Sequence, residues 1–183
     1  NAFLQGITKT SDSELPATIE DLITEGESGE LEFKSSLRWD LNERIGNKKL
    51  EDVAMKTVAA FANSEGGTLL IGVADDGQIL GLESDYHLLG EADRDKFELH
   101  LRNLLNKHFG TSYVATNVEI KFHEVEDKEI CQVAVSAGDQ PMVITTANKN
   151  GQQVEKFYVR SGNSSQEIPL SEMNTYIQSR FHS

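Results

Sequence analysis

The amino-acid sequence predicts one α+β domain, a mixed β-sheet with helices packed on it. Three observations carry this. Residues 68–73 (Thr-Leu-Leu-Ile-Gly-Val) are nearly all apolar and half β-branched, as in a strand covered on both faces. Just before them, Leu50, Val53, Ala54, Thr57, Val58, Phe61 and Ala62 recur at the three-four spacing of a core-facing helix. Strand patterns then crowd the second half without strict βα alternation, which favours a mixed sheet.

Taken in order, residues 1–15 are polar and mixed and read as a linker, leaving 16–183 as the domain. Residues 16–25 form a short helix with Ile19, Leu22 and Ile23 on one face and Gly26 as its stop. Residues 29–34 alternate as a strand, with Leu31 and Phe33 on one side and Glu30, Glu32 and Lys34 on the other. Residues 35–47 lack periodicity and read as a polar loop. The helix over 50–63 stops at Gly66-Gly67, the central strand follows, and Asp76-Gly77 marks a tight hairpin turn. Asp75 and Asp76 thus sit where that strand reaches the surface.

Residues 83–92 read as a loop. Asp93 caps a helix to His108, with Phe97, Leu101, Leu104 and Leu105 inward and Gly110 as its stop. Residues 114–122 and 129–135 alternate as two strands joined by a hairpin at 126–128. Residues 141–145 form an edge strand behind Pro141, and 154–159 form another. Ser171 caps a last helix that turns Met173, Tyr176 and Ile177 inward.

The chain has 183 residues, 38% of them hydrophobic, enough for one sound core. No run of about 18 apolar residues occurs, so no membrane insertion by this chain is expected. The start at Asn1-Ala2 suggests a domain cut from a larger multidomain protein. The single cysteine, Cys131, lies in an alternating apolar run. It reads as a buried thiol, and a reducing cytoplasmic setting is expected. The net charge of −13 argues against a general nucleic-acid-binding surface, because duplex binding rests on neutralising phosphates. Such a role then needs a local basic patch, a metal, or both.

Two constellations could carry chemistry. The first is acidic: Glu27, Glu30 and Glu32 lie on or before one strand, and Asp75 and Asp76 end another. Oxygen ligands of this kind suit Mg²⁺ or Mn²⁺. The same carboxylates also read as solvated strand positions, with Glu32 and Lys34 as a same-face ion pair. The second is basic: Lys34, Arg38, Arg44, Lys48, Lys49 and Lys56 surround Trp39, and Lys149, Lys156 and Arg160 form a smaller group. Cations beside an aromatic can grip a phosphate backbone and stack an unpaired base. They also read as a solvated helix face paired with Asp40, Glu43, Glu51 and Asp52. No P-loop, dinucleotide fingerprint or nucleophile elbow is present, so an ATP-binding module ranks last.

Three stretches together resemble one family. They are Gly26-Glu27-Ser28-Gly29-Glu30-Leu31-Glu32-Phe33-Lys34, then residues 59–73 (Ala-Ala-Phe-Ala-Asn-Ser-Glu-Gly-Gly-Thr-Leu-Leu-Ile-Gly-Val), then Phe157-Tyr158-Val159-Arg160-Ser161-Gly162-Asn163-Ser164-Ser165. In this order they resemble the Schlafen-type AlbA-like domain. The resemblance implies binding of RNA or DNA within a bacterial regulatory or defence protein. It also implies a metal-dependent endoribonuclease site, because some Schlafen members cut RNA with two Glu and one Asp. Those positions fall on Glu27, Glu32 and Asp75, which would hold Mg²⁺ or Mn²⁺ and serve as catalytic residues. Strand alternation alone pairs Glu32 with Glu30, so Glu27 would have to enter from the preceding turn. Lys34, Arg38, Lys48, Lys49 and Arg160 are expected to position phosphates. Schlafen nucleases use two copies of the module, so a nuclease here implies a homodimer or a partner domain. The alternative is a non-catalytic transcriptional-regulator or protein-interaction domain.

Overall fold

The computed structural model describes residues 17–90 and 93–182. The expected linker over 1–15 lies outside the described residues. A four-stranded sheet carries most of the core, in the order β1-β4-β6-β5. Its strands are β1 (Leu31–Lys34), β4 (Gly67–Ile71), β5 (Val118–Val125) and β6 (Lys128–Val135). β4 lies parallel to β1, with Glu32 opposite Leu69, and antiparallel to β6. The run of apolar residues in β4 follows from this central place. Leu69 and Ile71 face one core, and Leu70 faces the other.

The larger core is built by α2 (Lys48–Ala62) and α4 (Arg94–Phe109). α2 buries Ala54, Met55, Val58, Ala59, Phe61 and Ala62, and α4 buries Phe97, Leu101, Leu105 and Phe109 at every fourth residue. Each fully buried Phe or Leu contributes about 1.5–3 kcal/mol. The small residues of α2 admit a second, three-stranded antiparallel sheet on its other side. That sheet is β7 (Val143–Ala147), β8 (Gln153–Ser161) and β9 (Ser164–Glu167). Its Ile144 and Tyr158 join the same core. The smaller core, on the opposite face of the main sheet, is covered by α1 (Ile19–Glu25) through Ile19, Leu22 and Ile23. Thr18 and Asp21 form a capping box that starts α1.

Close approach explains Gly67. A Cβ there would lie 2.4 Å from the Phe61 ring and 2.9 Å from the Glu30 carbonyl. Gly66 has φ +80, and its amide donates to the Phe61 carbonyl at 2.9 Å, ending α2. The Asp76-Gly77 turn is formed as expected: Val73 bridges Ile79, and the Gly77 amide donates to the Ala74 carbonyl. Burial pushes the Cys131 thiol up, which leaves it protonated and inert.

Five readings change. Within residues 83–92 a helix forms, α3 (Glu83–Leu88), because Asp85 and Tyr86 turn inward. The β-branched run before β5 begins as a helix, α5 (Thr111–Asn117), rather than a strand. Val114 is buried there and Tyr113 stacks beside Phe109, so tertiary packing overrides β propensity. The loop at 35–47 contains a small hairpin, β2 (Trp39–Asp40) with β3 (Ile45–Gly46). β9 was not anticipated. The last helix, α6 (Leu170–Phe181), starts one residue before Ser171, after Pro169, without a side-chain cap.

Candidate nucleic-acid interface

The conformation of β1 follows from its place at the edge of the sheet, and this decides where the marked carboxylates go. Glu27 folds back along that edge, and its carboxylate accepts the Phe33 amide at 2.9 Å. Glu32 is held from two sides. Lys34 Nζ lies 2.6 Å from Oε1, and Arg160 Nη1 lies 3.0 Å from Oε2. Asp75 lies past the end of β4 on the exposed turn, where it shares a pocket with Lys34 and Trp39. The structure thus makes β1 and β4 neighbours, and Lys34, paired with Glu32, lines the same pocket as Asp75. Among the described residues, however, no three His, Cys, Asp or Glu side chains are gathered to hold a metal ion. A divalent cation takes open, unpaired carboxylate oxygens. Glu27 accepts a backbone amide and Glu32 meets two cations, so an Mg²⁺ or Mn²⁺ ion on Glu27, Glu32 and Asp75 would have to share or displace these partners.

Arg160 is equally committed. Its guanidinium donates to the carbonyls of Ser28 and Gly29, to Glu32 and to the Ser165 hydroxyl. It also lies 4.9 Å over the Phe61 ring. Its side chain is only 4% exposed. In this geometry it ties β8 and β9 to the start of β1.

The loop between β1 and α2 is shaped by a residue that sequence reading passed over. Asp85, on α3, accepts the amides of Leu37, Arg38 and Trp39 at 2.8–2.9 Å. Burial pushes its carboxyl above the usual carboxylate range, while those three amides pull it back. Asp40 holds the β2–β3 turn by accepting the Asn42 and Glu43 amides. Arg38 itself turns toward the buried Glu51, with Nη1 3.6 Å from Oε1. His100 of α4 approaches the same oxygen at 2.7 Å. Arg38 is therefore partly neutralised.

A group of unpaired cations lies beyond the hairpin. Asn47 caps α2 by accepting the Lys49 amide, so Lys48 and Lys49 occupy the first turn. This is the positive end of the helix dipole, where lysines are disfavoured unless an anion is present. The end of α4 meets this turn. Together they wall a groove of about 390 Å³ that includes Lys48, Lys49, Asp52, Lys107, His108 and Thr145. Among the described residues Lys48, Lys49 and Lys107 make no ion pair, and Asp52 and Glu51, which line the same groove, temper the charge. Burial holds His108 below the usual imidazole range. Lys107 and His108 were missed by sequence reading because they sit 58 and 59 positions after Lys49, and only helix packing brings them together.

The stretch from residue 27 to residue 169 matches the family model described as Schlafen, AlbA_2. The chain belongs to the Schlafen AlbA_2 family. A crystal structure of the DIP2311 protein from Corynebacterium diphtheriae is similar in fold, with a TM-score of 0.55 and 19% sequence identity. That likeness covers 83% of this chain but 27% of the other, so the present chain spans about a quarter of that relative's length. Membership of the Schlafen AlbA_2 family gives the domain a nucleic-acid-related function. No helix among the described residues is long and apolar enough to cross a membrane.

Proposed function

We propose that this domain is a nucleic-acid-binding module that grips the phosphate backbone in the groove at the start of α2 and binds without cutting. One observation carries the reading. In a chain of net charge −13, Lys48, Lys49, Lys107 and His108 border one groove, and the α2 dipole adds to their field. Several cations elsewhere are spent on carboxylates: Lys34 on Glu32, Arg102 on Glu98, Lys156 on Glu167 and Arg160 on Glu32. A patch of so few cations gives modest affinity and a correspondingly shallow salt slope. The module would then act within a larger protein or as a homodimer, where further contacts add avidity.

The non-cutting part rests on the engagement of Glu27 and Glu32 described above. The test is a salt titration of binding to RNA and DNA, with a parallel Mn²⁺ incubation of structured RNA. Salt-dependent binding that weakens in Lys48→Ala and Lys49→Ala, without cleavage, supports the reading. Binding to neither polymer at low salt would remove it. Mn²⁺-dependent cleavage lost in Glu32→Gln would replace it with a nuclease whose carboxylates rearrange around the ion.

A further inference from the structure

The β2–β3 hairpin leans over a second hollow, on the other side of the first turns of α2. It has about 260 Å³ of space, just below the range of pockets that take drug-sized ligands. Trp39, Leu41, Leu50 and Val53 supply its apolar walls, and Ser35 and Asp75 supply polar groups. Leu41 is 48% exposed and Val53 38%, and Ile45 of the same hairpin is 58% exposed. Half of the exposed large apolar side chains among the described residues thus gather at one corner. The Asp75 carboxylate and the Ser35 hydroxyl have no hydrogen-bond partner among the described residues. Apolar walls with a few open polar groups describe a ligand pocket.

We propose that this hollow holds one unstacked nucleobase, so that the module prefers single-stranded nucleic acid to a duplex. The inference rests on the nucleic-acid reading above and adds the polymer's strandedness to it. The geometry joins the two sites. Lys48, Lys49 and Asp52 of α2 face the phosphate groove, while Leu50 and Val53 face the hollow. A strand crossing the start of α2 places phosphates on the lysines and turns a base toward Trp39. Stacking on an aromatic is tolerant of base identity. The Asp75 carboxylate accepts an amino or ring N–H from the base edge, while phosphate stays outside, away from this like charge. Lys34, which lines the same hollow and pairs with Glu32, limits that repulsion. In a duplex the same base is paired and stacked, and extracting it carries an added cost.

Trp39 is the chain's one tryptophan, so its emission reports on this hollow alone. The protein is titrated with a single-stranded oligonucleotide, with the same sequence as a blunt duplex, and with an abasic strand. The single strand is expected to quench Trp39 and to bind about fivefold or more tighter than the duplex. The abasic strand is expected to bind no tighter than the duplex and to leave the emission unchanged. Trp39→Ala, and independently Asp75→Ala on its exposed turn, should bring single-strand affinity down toward the duplex value. Equal affinities with unchanged emission would overturn the base pocket and leave phosphate binding standing. Equal quenching by the abasic strand would overturn it too. Binding to none of the three would overturn both readings together.

Discussion

Arg160 Nη1 lies 3.0 Å from the Glu32 carboxylate, 128 positions away in the chain. This contact joins the second sheet to the edge strand of the first. The two side chains are only 4% and 13% exposed, so the pair is desolvated and its integrity matters more than its net Coulomb energy.

Removing one member should therefore act on folding first. Arg160→Ala leaves Glu32 with Lys34 alone and returns the exposed carbonyls of Ser28 and Gly29 to water. The expected loss is about 1.5–3 kcal/mol, as for a hydrogen bond to a charged group, read from urea unfolding. Unchanged stability with lost nucleic-acid binding would instead give the guanidinium to the ligand.

The groove lysines should behave in the opposite way. Lys48→Ala and Lys49→Ala are exposed changes at the disfavoured end of a dipole, so stability should hold or rise by about 0.3–1 kcal/mol. Each should lower the slope of log affinity against log salt by about 1. An unaltered slope would show that phosphate lies elsewhere.

His108 sets the pH dependence. Burial lowers its folded-state value below the ordinary 6.5, Asp52 and Glu51 oppose that, and Lys107 reinforces it. The folded state then binds fewer protons than the unfolded state just below pH 6.5, so stability should fall as pH drops through that window. Phosphate in the groove favours the imidazolium, so nucleic-acid affinity should rise over the same interval. His108→Gln should flatten both profiles; persistence of either in that variant would assign it to another group.

Asn63 is fully buried and ties the end of α2 to the second sheet. Its Nδ2 donates to the Met142 and Tyr158 carbonyls, and its Oδ1 accepts the Met142 amide at 2.7 Å. Asn63→Ala leaves these groups unpaired, at about 1–3 kcal/mol for each one that water cannot reach. A calorimetric scan should show a lowered Tm with no change in the salt slope of binding. A variant as stable as the parent would mean that water replaces the amide.

Asp85 should control the hairpin. Asp85→Ala removes the acceptor of three amides around Trp39, so Trp39 emission should shift toward that of a solvated indole. Unshifted emission would show that Asp40 and Asn47 hold the loop without it.

The sequence by itself determined the α+β class, the central strand, the two long helices and the Asp76-Gly77 turn. Each of these rests on local periodicity or on glycine chemistry, which a window of a few residues contains. It also brought out the motifs of the family. Only the tertiary structure decided what their residues do. Glu32 is taken by Arg160 because the β8 and β9 strands close onto β1, a contact with no local signature. Lys107 and His108 border the same groove as Lys48 because the last turn of α4 lies beside the first turn of α2. Residues 111–117 turn helical because Val114 has a core to enter. Charges and β-branched residues state a preference, and which partner satisfies it is set by packing between segments far apart in the chain.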